Sequence, residues 1–177
     1  MADGKQGEIH WFSPELRGII PLDGLKISRS LRQTIRKKKF AVRINSNFEA
    51  TIRACAERKD VWISETIIQS YLQLHHLGYA HSVECWNNET LVGGLYGVAI
   101  GGAFFGESMF SRLTDASKVA LIFLVKRLIE REFVLLDTQY SNPHLLTLGC
   151  LEISRLEYMQ RLQTAIHLDR HFIGDHQ

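Results

Sequence analysis

LVGGLYGVAIGGAFFGESMFSR, residues 91–112, is the most glycine-dense part of the chain and is also rich in aromatic and branched aliphatic residues. That composition predicts two strands joined by a tight turn near Gly101-Gly102. Between Phe104-Phe105 and Met109-Phe110 the stretch carries Glu107 and Ser108, so a carboxylate sits among large apolar neighbours. An unpaired buried charge is costly. Glu107 therefore faces water, joins a structural salt bridge, or meets something that binds it.

Upstream of this hairpin, residues 81–86 alternate as a strand, and Asn87-Asn88 is a turn signal. Ser64 is placed to cap a helix over about 65–77 that Gly78 ends, with Ile68, Tyr71, Leu72 and His75 on one face. Ser46 followed by Glu49 is a capping-box pattern opening a helix to about residue 57. Residues 40–44 form a short strand, and residues 1–24, with Pro14, Pro21 and several glycines, read as irregular. Downstream, Asp115 or Thr114 caps a long helix, 116–131, so apolar that it must be buried on most sides. Residues 133–136 then form a buried strand with Asp137-Thr138-Gln139 at its C-terminal end, a common place for a site in sheets flanked by helices. Asn142-Pro143 starts a short helix that Gly149 closes, and a second capping box, Ser154 to Glu157, opens a helix to about residue 162. The order predicts a mixed α+β fold, a mostly antiparallel sheet with helices on its faces. The expected organisation is a basic N-terminal segment (1–44), a catalytic domain (45–163) and a frayed polar tail (164–177).

Charge is unevenly spread. Lys26, Arg29, Arg32, Arg36, Lys37, Lys38, Lys39 and Arg43 fall in one stretch with no acidic residue, leaving 13 basic against 19 acidic residues elsewhere. Within a helix over 28–38, Arg29, Arg32 and Arg36 lie along one side. A solvated helix face is the bland reading. The spacing, and the match of guanidinium to phosphate, favour a polyanion backbone.

Several chemistries lose support. The sequence has no GxxxxGK[ST] loop, no HExxH, no cysteine pair at zinc spacing and no GxSxG elbow. His167, His171 and His176 in the polar tail read as solvated rather than as metal ligands. Cys55, Cys85 and Cys150 are far apart and odd in number, which fits a reducing cytosol, and no apolar run approaches a membrane span. The strand–strand–helix–strand order is that of the GNAT acyltransferase core. Acetyl-CoA-dependent members hold pyrophosphate on a glycine-containing loop before the long helix. Here that junction reads ESMFSRLTDASK, with no glycine after Glu107 and with Asp115 at the helix start. Such a scaffold should take its acyl group from something else.

The segments HWFSPELRGIIPLD, ISRSLRQTIRK, YLQLHHLGYAHSVECW, LVGGLYGVAIGGAFFGESMFSRLTDASKVAL, LLDTQ and HLLTLGCLEISRLEY, in this order, resemble the leucyl/phenylalanyl-tRNA–protein transferases. GESMFSR followed by the DxQ at 137–139 is the most specific part of the match. The resemblance implies a GNAT-like fold and an aminoacyltransferase of the cytoplasm, monomeric and without cofactor or metal. It would move Leu, Phe or sometimes Met from aminoacyl-tRNA (Leu-tRNA, Phe-tRNA) to the α-amine of proteins beginning with Arg or Lys, creating a degradation signal. It also implies catalytic roles for Asp137, Gln139 and Glu107, and an acyl pocket of Leu95, Phe104, Met109, Leu124 and Leu136. Trp62 would stack on the terminal adenosine, and Arg29, Arg32, Arg36 and Lys37 would track the acceptor stem. At the start the resemblance departs from the family. Members usually carry a further segment ending in a GxFP-type motif, which commonly supplies an aromatic for the adenosine, and Met1 falls about where it would finish. The expectation is a truncated or short form in which tRNA affinity is the property affected. The alternatives are a non-catalytic tRNA or N-degron binding module, and, with less support, an acyl-CoA-dependent N-acyltransferase.

Overall fold

A computed structural model describes residues 12–57 and 62–174. Residues 1–11, most of the polar loop expected before Trp62, and the last three residues of the tail lie outside the described residues.

The glycine-rich stretch forms the centre of a seven-stranded sheet. Strands β1 (Leu16–Ile19), β2 (Ala41–Ile44), β3 (Ala80–Asn87), β4 (Thr90–Ile100), β5 (Ala103–Ser111), β6 (Leu135–Gln139) and β7 (Leu151–Ser154) are ordered β2-β3-β4-β5-β6-β1-β7. All neighbours are antiparallel except β5 and β6. That parallel pair is joined by the long helix α4 (Ala116–Glu130), as a parallel crossover requires. The other helices are α1 (Arg29–Arg36), α2 (Phe48–Cys55), α3 (Glu65–His76), α5 (Pro143–Leu146) and α6 (Arg155–Ile166). The expected mixed α+β fold, a mostly antiparallel sheet flanked by helices, is what forms.

Two layers cover the sheet. Val83, Leu95 and Phe104 meet Val119, Ala120 and Leu124 of α4 in the largest core cluster, which also takes in Leu31 of α1. Phe48 and Ile52 of α2 and Ile68 of α3 pack with Tyr96 and Phe110. Ile19, Leu135 and Ile153 pack with Tyr158 of α6 in a third, smaller cluster. Gly93 lets α4 start close against β4, because a Cβ there would collide with that of Ala116.

The turn at Gly101-Gly102 forms where expected, with Gly101 left-handed at φ 55°. Five local expectations need correction. Residues 16–19 are not irregular: β1 pairs with β6 on one side and β7 on the other, so the N-terminal segment contributes an internal strand. Four residues with no alternating pattern of their own give no signal of a strand whose partners lie over a hundred residues away. The cap of α2 is Asn47, whose Oδ1 accepts from the Ala50 amide, one residue after the Ser46 expected. The β3–β4 turn is Asn88-Glu89, both with positive φ, rather than Asn87-Asn88. Asp115 sits left-handed before α4 and makes no cap; its carboxylate meets Lys118 and the Thr34 hydroxyl instead. Finally, residues 164–174 are not frayed. Helix α6 runs to Ile166, Ala165 O accepts from the Gly102 amide at 2.7 Å, and Phe172 is buried against His81 and Phe104.

Candidate active site

Glu107 owes its setting to a strand irregularity. Tyr96 pairs with Ser108 and Gly97 with Gly106, so Glu107 is an extra residue on β5 with no partner on β4. A bulge of this kind re-aims side chains. Strict alternation would put Phe104 and Met109 on opposite faces; with the extra residue both reach the α4 side of the sheet. Pairing between β5 and β6 ends at Phe105–Asp137, so Gly106, Glu107 and Ser108 face Thr138 and Gln139 across a gap.

At this gap lies a cavity of about 800 Å³. Leu95, Met109, Leu121, Leu124 and Leu136 give it an apolar wall, and Glu107, Ser108, Thr138, His144 and Trp62 add polar and aromatic groups. Leu95, Met109, Leu124 and Leu136 of the expected acyl pocket thus share one cavity with Glu107 and Trp62. Phe104 does not belong to its wall. It is fully buried in the core, with its ring against Phe172 at 5.2 Å between centroids. Leu121 belongs to the wall and carries no signal of it in the sequence, because one apolar position of a nearly all-apolar helix looks like the next. Nor does His144; its Nε2 is buried with no hydrogen-bond partner, and burial, followed by the charge of Lys118, lowers its affinity for a proton.

Glu107 accepts from the side-chain amide of Gln139 (Nε2 to Oε2, 3.1 Å), and Tyr71 of α3 supplies a further hydrogen bond. Burial pushes the Glu107 carboxyl above its ordinary range, outweighing those two donors, and the charge of Asp137 pushes the same way. Gln139 has a left-handed φ of 64°. For a side chain other than glycine this conformation costs about 1–2 kcal/mol, so something must hold it.

Gln139 pairs with Gly18 of β1, and its backbone amide donates to Asp137. Along β6 alternation turns Leu136 and Thr138 toward the cavity and Asp137 away from it. The Asp137 side chain is wholly buried, does not line the cavity, and accepts four hydrogen bonds. On Oδ1 they come from Arg17 Nε (3.0 Å) and the Gln139 backbone amide (2.7 Å), and on Oδ2 from Arg17 Nη2 (2.6 Å) and the Tyr158 hydroxyl (2.8 Å). The Arg17 guanidinium also stacks over the Tyr158 ring, 5.0 Å from its centroid. Burial opposes the charge on Arg17, but the bonds to Asp137 and its charge raise its pKa further. Burial, then the charge of Asp137, pushes the Tyr158 hydroxyl up as well. Of the three residues expected at the chemistry, Glu107 lines the cavity, Gln139 joins it only through its bond to Glu107, and Asp137 touches Gln139 but not the cavity. The sequence does not single out Arg17 or Tyr158, since one lies in a stretch that reads as irregular and the other in a helix far along the chain.

Trp62 lines the cavity on the side of Ala54 and Glu57. Arg29, Arg32, Arg36 and Lys37 are exposed on α1 and at its C-cap, outside the cavity wall. Leu31 anchors α1 to the core, and the Thr34–Asp115 contact ties it to the start of α4, whose Ser117 lines the cavity. Among the described residues, no group of three or more His, Cys, Asp or Glu side chains is placed to hold a metal ion, and no helix is long and apolar enough to cross a membrane.

Residues 19–163 match the family described as leucyl/phenylalanyl-tRNA protein transferase. The chain is 56% identical over 159 residues to the leucyl/phenylalanyl-tRNA–protein transferase of Cereibacter sphaeroides, covering 90% of this chain and 74% of that protein. It is 54% identical to that of Rubrobacter xylanophilus over 170 residues (96% and 89%) and 51% identical to that of Gloeobacter violaceus over 168 residues (95% and 87%). A family match over residues 19–163 and identity of this depth over 90% or more of its length place the chain in the leucyl/phenylalanyl-tRNA–protein transferase family.

Proposed function

We infer that this chain moves Leu or Phe from aminoacyl-tRNA to the α-amine of a protein whose first residue is Arg or Lys. One observation carries the reading: a single cavity joins an apolar wall, suited to a Leu or Phe side chain, to a carboxylate fastened at one end. The reaction is aminolysis of an ester. The amine nitrogen bonds to the carbonyl carbon, the bond to the ribose oxygen breaks, and the proton lost by nitrogen ends on that oxygen. An ester is converted to an amide, so the step runs downhill. A free α-amine has a pKa near 8, so a usable fraction is already neutral at pH 7 and orientation carries most of the work.

In this reading Glu107 attracts the cationic acceptor residue, and the amide of Gln139 orients the amine against the ester carbonyl. Asp137 acts through Gln139 rather than on the amine, since its acceptor sites are taken. Leu95, Met109, Leu121, Leu124 and Leu136 take the acyl side chain. Trp62 stacks on the terminal adenosine, an interaction worth about 1–3 kcal/mol. The exposed arginines and Lys37 follow the acceptor stem by charge and shape.

The test is transfer of radiolabelled Leu from Leu-tRNA to a peptide beginning with Arg, and to the same peptide beginning with Asp. Label is expected on the first alone. Binding of Leu-tRNA with no label on either peptide would leave a binding module in place of an enzyme.

A further inference from the structure

The clamp on Asp137 is more elaborate than a strand-end carboxylate requires. An ionised carboxylate has about four lone-pair sites, and here all four are filled by protein donors from β1, β6 and α6. No site is left for a substrate amine. Three of those bonds come from side chains, and the fourth reaches the backbone amide of Gln139, the residue with the left-handed φ whose own side chain bonds Glu107. A buried ion pair is seldom the most stabilising way to fill space; apolar residues of similar volume often do as well or better. What the pair adds is direction. Arg17 presents a two-pronged fork to the carboxylate, Tyr158 fixes Oδ2, and the remaining acceptor direction on Oδ1 points at one amide.

We propose that Arg17 and Tyr158 are positioning residues for aminoacyl transfer, clamping Asp137 so that Gln139 is held left-handed with its side-chain amide at Glu107, at the amine end of the cavity. This rests on the reading of function above. The clamp also accounts for a site assembled from distant parts of the chain: Arg17 comes from the strand beside β6, and Tyr158 from the helix covering that strand. Neither side chain lines the cavity, so neither touches substrate, and their effect passes through two hydrogen bonds.

The experiment uses the full chain and the variants Tyr158→Phe, Arg17→Lys and Arg17→Met. Two readouts are taken: exchange of the Gln139 backbone amide by NMR in the free protein, and steady-state transfer from Leu-tRNA to an Arg-peptide, measured well below each variant's Tm. Tyr158→Phe removes one hydroxyl and keeps the ring, so it folds even if Arg17→Met does not. Losing a hydrogen bond to a charged group corresponds to roughly ten- to hundredfold. That size of fall is expected in kcat, with faster Gln139 exchange and an affinity for Leu-tRNA unchanged within about twofold. Arg17→Lys should fall between the wild type and Arg17→Met, because a point charge replaces the fork. Unchanged Gln139 exchange in Tyr158→Phe, or a lowered Tm with unchanged kcat, overturns the clamp. Should the wild type transfer nothing, the functional reading fails by itself, and amide exchange still decides whether the clamp holds Gln139.

Discussion

At the residue scale, Glu107 concentrates the conflict between burial and charge. Its pKa is raised above the ordinary 4.5 chiefly by burial. The folded protein therefore binds this proton more tightly than the unfolded chain, and ionised Glu107 subtracts stability as pH rises through the raised value. The proposed function runs the other way, because in it only the ionised form would attract a cationic acceptor. Transfer to an Arg-peptide should decline as pH falls through a midpoint above 4.5, measured as kcat/KM against pH. Glu107→Gln should lower kcat/KM at neutral pH by roughly tenfold or more, flatten that acid limb, and leave Tm equal or higher. A lowered Tm with an unchanged profile would make Glu107 a structural residue. The oddity of a carboxylate between aromatic pairs is legible from the sequence. Its partners are not, since Gln139 and Tyr71 reach it from other elements.

At the element scale, α1 shows where pattern reading succeeds. Leu31 and Ile35 face inward, and its arginines face solvent. All of this follows from spacing within one helix. The triple change Arg29→Ala, Arg32→Ala, Arg36→Ala spares the buried face, so folding should hold. Affinity for aminoacyl-tRNA should fall, and the slope of log K against log salt should flatten by about one unit for each phosphate no longer neutralised. Titrations at several salt concentrations check this, and an unchanged slope would assign α1 to a merely solvated face. The capping errors at Ser46 and Asp115 have a different origin. Adjacent residues compete for a cap, and the winner depends on where the incoming chain can turn, which in this fold is set by β2 and by the packing of α1 on α4.

At the scale of the whole molecule, the chain's last described segment closes the fold. Phe172 sits against His81 of β3 and Phe104 of β5, and Arg127 of α4 and Arg131 at its C-terminal cap donate to the carbonyls of Phe172 and His171. Phe172→Ala should cost about 3–5 kcal/mol by denaturant unfolding; a loss within about 0.5 kcal/mol, the range of ordinary surface changes, would mean the segment only rests on the core. By itself the sequence determined the helices, the central hairpin, the burial of the long helix α4 and the residue types of the site. Each of these is written in contiguous patterns of period 3.6 or 2, in turn residues, or in a motif such as GESMFSR with its DxQ. Only the tertiary structure decided that β1 lies inside the sheet, that Ala165 and Phe172 anchor residues 164–174 to the core, that Phe104 leaves the cavity to Leu121, and that Arg17 and Tyr158 occupy Asp137. Those outcomes depend on pairings between residues far apart in the chain and on one extra residue in β5, and no local pattern encodes either.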